Sequence, residues 1–115
     1  MASAFNIINM SRHFRYTILL NGHESGEIDP LKTSTLSIEP GQHELSFKDG
    51  DPENIPTHCK PIQVTIADGN ALNIKVLTDQ FSIRIFDEHG MHLNGIRGFL
   101  CGKVGKGIHI ENQIA

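Results

Sequence analysis

The chain has 115 residues, of which 38% are hydrophobic, and its formal net charge at pH 7 is -3. This length and composition fit one globular domain with a single hydrophobic core and argue against a disordered chain. Because nucleic-acid binding requires a clustered basic face, the small acidic net charge favours no nucleic-acid partner.

Two cysteines, Cys59 and Cys101, are too few for a disulfide scaffold, and they lack the spacing of zinc ligands. Two free thiols suit a reducing compartment, although a pairing between them stays open. Residues 1–10 contain no basic region followed by an apolar core, and no apolar run approaches the roughly 20 residues that span a bilayer. We therefore expect a cytoplasmic protein, or an exported one if a leader was removed.

The first predicted strand covers residues 14–20, where large apolar side chains alternate with their neighbours and share one face. Asn21-Gly22 follows, and this pair readily adopts the positive φ angles of a tight reversal. A second alternating stretch covers residues 32–39. The pattern is typical of a small antiparallel β-domain.

A Pro-Gly pair ends this second stretch, because Pro40 sets φ for the first turn position and Gly41 tolerates the next. His43, Leu45 and Phe47 then share the apolar phase of a further strand. A histidine in this position is more often a partly buried, hydrogen-bonded core residue than a catalyst.

Residues 62–66 and 72–76 alternate on either side of Asp68-Gly69, and we interpret them as a β-hairpin. Residues 81–85 form the next predicted strand. In total the sequence indicates about six or seven short strands and no helical periodicity before residue 95.

This pattern predicts an all-β fold, an immunoglobulin-like antiparallel β-sandwich. A single open sheet would leave its apolar face uncovered, since no amphipathic helix precedes residue 95. We expect residues 1–94 to form the sandwich. Residues 95–115 are expected to form a Gly-rich C-terminal arm or extra hairpin of the same single domain.

Three segments between Tyr16 and Leu77 read YTILLNGHESGEI, TLSIEPGQHELSF and IQVTIADGNALNIKVL. This region resembles PEGA-type domains, small β-sandwiches with related carboxypeptidase-regulatory-like modules. The shared features are a strand ending in Asn/Asp-Gly, a Pro-Gly-x-His segment that opens the next strand, and a closing hairpin. EPGQ stands in place of the name-giving tetrapeptide. The resemblance implies a non-catalytic module, of a kind often found in exported or envelope-associated proteins.

Residues 95–107 contain five glycines, three cationic residues and four apolar residues. A helix would place its apolar residues on one face, as in membrane-surface peptides, but each interior glycine costs about 1 kcal/mol relative to alanine. An extended arm or hairpin that turns near Gly105-Lys106-Gly107 is therefore favoured, although strand, helix and mobile states of residues 95–108 stay open. Such a strand offers backbone groups to a partner. The candidate binding residues are Arg97, Phe99, Leu100, Lys103 and Lys106.

His89 and His92 lie three residues apart beside two carboxylates, and imidazole with carboxylate suits zinc or nickel. Gly90 and the expected turn leave these ligands without preorganisation. His58-Cys59 could indicate a thiol activated by imidazole, but adjacent strand residues point to opposite faces.

Taken together, the sequence predicts a non-catalytic binding or assembly module that needs no cofactor. Its contact surface includes the C-terminal arm and faces a protein partner or a second copy of the chain. One alternative is a membrane-surface-associated protein that acts through the cationic segment 95–108. The other is a small metal-binding or thiol enzyme that uses His89, His92 or Cys59.

Overall fold

The computed structural model describes residues 3–51, 58–79, 82–94, 101–103 and 107–111, with the backbone alone for 101–103 and Glu111. Within these residues the chain forms ten β-strands and no helix. The strands are β1 (Ser3–Asn9), β2 (Tyr16–Leu20), β3 (His23–Ile28), β4 (Thr33–Ile38), β5 (Gly41–Asp49), β6 (Ile62–Ile66), β7 (Ala71–Asp79), β8 (Ser82–Asp87), β9 (Cys101–Lys103) and β10 (Ile108–Glu111).

The strands form two sheets that pack as a sandwich. The four-stranded sheet has the order β4-β1-β7-β8, and the six-stranded sheet has the order β3-β2-β5-β6-β10-β9. This confirms the predicted all-β sandwich, with more strands than the six or seven expected. The expectation of purely antiparallel pairing is wrong for β1 and β7, which run parallel. No tight turn joins these two strands, so no turn fixes their relative direction.

The core lies between the two sheets, where period-two alternation turns the same phase of each strand inward. Five side chains that the alternation places there are each at most 1% exposed and belong to one hydrophobic cluster. These are Ile18, Leu45, Val64, Ile74 and Ile83. Tyr16 is also buried, and its hydroxyl lies 2.5 Å from Thr78 Oγ1, which joins the two sheets across the core.

Strand β1 was not predicted, although it lies inside the four-stranded sheet and buries Phe5 and Ile7 completely. Asn9 at its end is also buried. Its side-chain Nδ2 donates to the carbonyl oxygens of Phe14, Ile28 and Asp29 at 2.7, 3.1 and 3.1 Å. These bonds satisfy a buried amide and fix the connection from β1 to the six-stranded sheet.

The predicted Asn-Gly reversal is confirmed, with φ angles of 53° at Asn21 and 82° at Gly22. The strand that it leads to is β3, which sequence patterning missed because only Ile28 among its residues is buried. Residues 33–38 form β4 as expected, but β4 pairs with β1 in the other sheet.

The hairpin interpretation of residues 62–76 is wrong. Strand β6 pairs with β5 and β10, whereas β7 belongs to the other sheet and pairs with β1 and β8. Asp68-Gly69 therefore carries the chain from one sheet to the other. Alternation predicts which face of each strand is buried, but a hairpin and a crossover give the same alternation.

The C-terminal segment joins the sandwich through β10, which pairs with β6 and buries Ile108 and Ile110. Strand β9 pairs antiparallel with β10. The favoured extended hairpin is thus present at residues 101–103 and 108–111, where the helical alternative is wrong. Residues 95–100 and 104–106 lie outside the described residues.

Candidate functional site

A cavity of about 350 Å³ lies along the outer edge of β8, and we name it the basic cleft. It is bounded by two short segments, residues 58–60 and 92–94, that run beside β8. Its lining residues are His58, Lys60, Ser82, Ile83, Arg84, His92 and Asn94.

Backbone hydrogen bonds fix both segments to β8. The N–H of Ile83 donates to the carbonyl oxygen of His58 at 2.7 Å, and the N–H of Leu93 donates to that of Ile85 at 2.7 Å. Asp87 closes the same edge, because its N–H donates to the carbonyl oxygen of Met91 at 2.9 Å. The outer edge of β8 is therefore occupied by its own chain.

Asn94 holds the basic cleft together. The side chain is buried, and its Nδ2 donates to the carbonyl oxygens of Lys60 at 2.9 Å and Ile83 at 3.1 Å. Its Oδ1 accepts from the N–H of Ile85 at 2.8 Å and lies 3.0 Å from His92 Nε2. One side-chain amide thus takes the place of a strand peptide group and joins three parts of the chain.

His92 forms one wall of the basic cleft, with its ring 5.1 Å from the ring of Phe86 at an angle of 31°. Because Asn94 Oδ1 only accepts hydrogen bonds, His92 Nε2 carries the hydrogen of this contact. Burial lowers the pKa of His92 below its ordinary value of 6.5; the charge of Arg84 adds to this, and the bond to Asn94 opposes it. His92 is therefore neutral at pH 7.

The fixed positive charge of the basic cleft comes from Lys60 and Arg84. Arg84 Nη2 lies 3.3 Å from Asp79 Oδ2, which orients the guanidinium. His58 is exposed and adds a ring nitrogen at the rim. Among the lining residues that the structure describes, none is a carboxylate. N–H donors beside fixed positive charge form an environment that favours an anion.

The two histidines proposed as metal ligands have different surroundings. His89 is exposed on the turn after β8, with Nε2 3.7 Å from Glu88 Oε1, whereas His92 packs on Phe86. Asp87 Oδ1 accepts from the N–H groups of His89 and Met91, which shapes the turn. Within the described residues, no group of three His, Cys, Asp or Glu side chains could hold a metal ion. A site at His89 and His92 stays a prediction.

Cys59 is a free, half-buried thiol beside the basic cleft. Burial raises its pKa above the ordinary 9.0, and hydrogen bonds from Ser46 and Phe47 oppose the shift. The thiol is therefore protonated at neutral pH, which disfavours it as a nucleophile. The Cys101 side chain lies outside the described residues.

His43 has the position that its alternation predicted, half-buried with both ring nitrogens in hydrogen-bonding contact. Its Nε2 lies 2.6 Å from the carbonyl oxygen of Glu39, and its Nδ1 lies 3.1 Å from Asn21 Nδ2. The ring also meets Phe5 edge to face, at 6.4 Å. This histidine links two turns and the core.

Of the predicted C-terminal binding residues, Arg97, Phe99, Leu100 and Lys106 lie outside the described residues. Lys103 is described by its backbone, which pairs with His109 in the β9–β10 hairpin. Strand β9 is the last strand of the six-stranded sheet, and no strand of the described chain pairs with its outer edge.

Sequence reasoning missed the basic cleft. Its lining comes from three parts of the chain that touch only after β8 is flanked by residues 58–60 and 92–94. One available signal was Arg84, which stands between buried Ile83 and Ile85 and must therefore point outward.

Comparisons with known proteins found no matching family model, no matching curated protein and no matching solved structure. In the part of the chain that the structure describes, no helix is long and apolar enough to cross a membrane.

Proposed function

We propose that the protein is a non-catalytic binding or assembly module that contacts a protein partner or a second copy through its C-terminal Gly-rich segment. The observation that carries this proposal is the position of β9 at the end of the six-stranded sheet. A strand in this position presents backbone N–H and C=O groups along its outer edge, and another chain can add a strand there.

The other end of the same sheet is less suited to strand addition. Strand β3 has charged side chains, with Glu24 3.3 Å from Lys48 and Glu27 3.7 Å from Arg15. Charged side chains on an edge strand discourage pairing with another chain. The β9 edge is therefore the better candidate for a contact that uses the backbone.

The resemblance to PEGA-type domains is consistent with this proposal, because such modules are usually non-catalytic. Two of the local features named for the resemblance are present, the Asn21-Gly22 turn and Gly41, which has a φ angle of 125° and opens β5. The closing hairpin gives it no support, because β6 and β7 belong to different sheets.

Truncation is a poor test, because removing residues 95–115 would also remove β10 and its buried Ile108 and Ile110. Proline at Gly102 or at Lys103 is sharper. Successive N–H groups of a strand point to opposite edges, so one proline blocks the outer edge and the other disrupts pairing with β10. We call the variant whose proline removes the N–H on the outer edge the outward proline. We expect it to abolish self-association, or binding to a partner isolated with the wild-type chain, without lowering the melting temperature.

Light scattering, pull-down and thermal melting of both proline variants check this expectation. If both variants associate and bind as the wild type does, the β9 edge is not the contact. Co-sedimentation with anionic phosphatidylglycerol vesicles distinguishes the membrane-surface alternative from the proposed protein contact. That alternative replaces the proposal if the wild type binds vesicles and a triple Gln variant of Arg97, Lys103 and Lys106 does not.

A further inference from the structure

We propose that the basic cleft is a binding site for a small organic anion, one that carries a phosphate or a carboxylate group. This site is separate from the contact proposed at β9 and uses a different kind of recognition. It is formed by side chains of β8 and of the segments 58–60 and 92–94.

Charge is the first argument. Among the lining residues that the structure describes, Lys60 and Arg84 are cationic and none is acidic, in a chain where 13 Asp and Glu residues outnumber 10 Lys and Arg residues. A concave surface lined by one sign of charge concentrates ligands of the opposite sign.

The geometry of Arg84 is the second argument. Asp79 contacts one nitrogen of the guanidinium, Nη2, at 3.3 Å. A guanidinium carries five N–H donors in a planar fork, so one carboxylate oxygen does not exhaust it. The contact with Asp79 orients the fork, and an oriented fork suits the paired oxygens of a phosphate or carboxylate.

The basic cleft also has fixed walls. Four contacts of Asn94 join the segment 58–60, strand β8 and the segment 92–94. The ring contact between His92 and Phe86 fixes one side. A site formed in advance binds its ligand without the cost of ordering the walls.

Size and lining favour an organic anion over a bare inorganic ion. A volume of about 350 Å³ lies within the roughly 300–1,000 Å³ that small-molecule sites occupy. Apolar atoms form most of the lining surface beside the cations. The concave shape and the acidic net charge of the chain disfavour nucleic acid as the ligand.

Titration of the full-length chain with three matched probes tests this inference. Phenyl phosphate and benzoate carry the two proposed groups on one aromatic ring, and benzyl alcohol is the neutral control. At constant ionic strength, we expect both anions to cause saturable NMR shifts at the amides of Ser82, Ile83 and Arg84. Benzyl alcohol should cause none. The preference between phenyl phosphate and benzoate then identifies the acidic group.

Variants assign the binding to the basic cleft. We expect Arg84→Gln and Lys60→Gln each to weaken binding about tenfold, since each removes a charge-assisted contact. Arg12→Gln removes one positive charge at an exposed position outside the basic cleft and should leave affinity unchanged. The outward proline in β9 should also leave it unchanged, which separates this inference from the proposed function.

Three results would overturn the inference. The first is the absence of saturable shifts with either anion. The second is equal binding of benzyl alcohol, which would indicate an apolar pocket. The third is an equal loss of affinity in Arg12→Gln, which would indicate attraction to net charge. If Arg84→Gln does not fold, Lys60→Gln and the charge-retaining Arg84→Lys decide the result.

Discussion

Strands β8 and β9 each end one sheet, and the outer edges of these two strands have different surroundings. Strand β8 ends the four-stranded sheet, and residues 58–60 and 92–94 occupy its outer edge. Strand β9 ends the six-stranded sheet and has no described strand on its outer side. The chain thus closes the β8 edge itself, whereas no strand of the described residues pairs with the outer edge of β9.

Closing an edge with short segments also creates a cavity. A regular strand beside β8 would continue the sheet, whereas two short segments joined by a side-chain amide leave the basic cleft between them. The β8 edge therefore offers side chains in a fixed arrangement, and the β9 edge offers backbone groups. A cleft of this kind selects small ligands, and an open edge selects extended chains.

The largest expected effect comes from removing the side-chain amide of Asn94, which closes the β8 edge. Asn94→Ala deletes its hydrogen bonds and leaves the Lys60 and Ile83 carbonyl oxygens and the Ile85 N–H without them. We expect the free energy of unfolding to fall by about 3 kcal/mol, because each unsatisfied buried group costs about 1–3 kcal/mol. Urea denaturation measures the loss.

Asn73→Ala is the matched control. Asn73 is exposed on β7, and its Oδ1 accepts one side-chain hydrogen bond, from Asn6 Nδ2 at 2.8 Å. We expect this variant to lose less than about 1 kcal/mol, as exposed single hydrogen bonds do. Equal losses at the two positions would show that Asn94 does not close the edge.

A second substitution tests whether the C-terminal hairpin is fixed to the sheet on its inner side. Gly107 has a φ angle of 81°, and its carbonyl oxygen accepts from the N–H of Ala67 at 2.7 Å. A Cβ added at Gly107 would overlap Asn70 Nδ2. We expect Gly107→Ala to cost about 2 kcal/mol, from left-handed backbone strain and this overlap. Thermal and urea denaturation measure it.

Gly90→Ala separates the two contributions. Gly90 has a similar φ angle of 88°, and a Cβ there would meet no atom within 4 Å. This variant should cost about 1 kcal/mol, the backbone part alone. If Gly107→Ala costs no more than Gly90→Ala, the turn before β10 is not packed against the corner that contains Asn70.

Local signals in the sequence predicted the burial phase of the strands and the reversal at Asn21-Gly22, because both depend on neighbouring residues. Strand β3 was missed since an edge strand buries few side chains, and only Ile28 is buried there. The error at Asp68-Gly69 has another cause. Hairpins and crossovers bury the same alternating face, and the choice between them depends on distant strands that compete for pairing.

The basic cleft was beyond sequence reasoning for a related reason. Its walls are brought together by Asn94, whose partners Lys60 and Ile83 are 34 and 11 residues away. An asparagine in a polar stretch reads as a turn residue. Asn94 is buried only because the folded chain places it against the edge of β8 and the carbonyl oxygen of Lys60.

The smallest expected effect is a pH dependence of stability that comes from His92. The pKa of His92 in the folded chain lies below its ordinary 6.5. At pH values between the folded pKa and 6.5, the unfolded chain therefore binds more protons than the folded chain does. The contribution of His92 to the free energy of unfolding is fully present above pH 6.5. It decreases as the pH falls from 6.5 to the folded pKa, and below that pKa it decreases no further. NMR titration of the His92 ring in the folded and urea-unfolded chain should give the lower pKa in the folded state. A folded pKa at or above 6.5 would mean that the ring is not packed into the closed edge, and the contrast between β8 and β9 would then rest on Asn94 and on the backbone hydrogen bonds to β8.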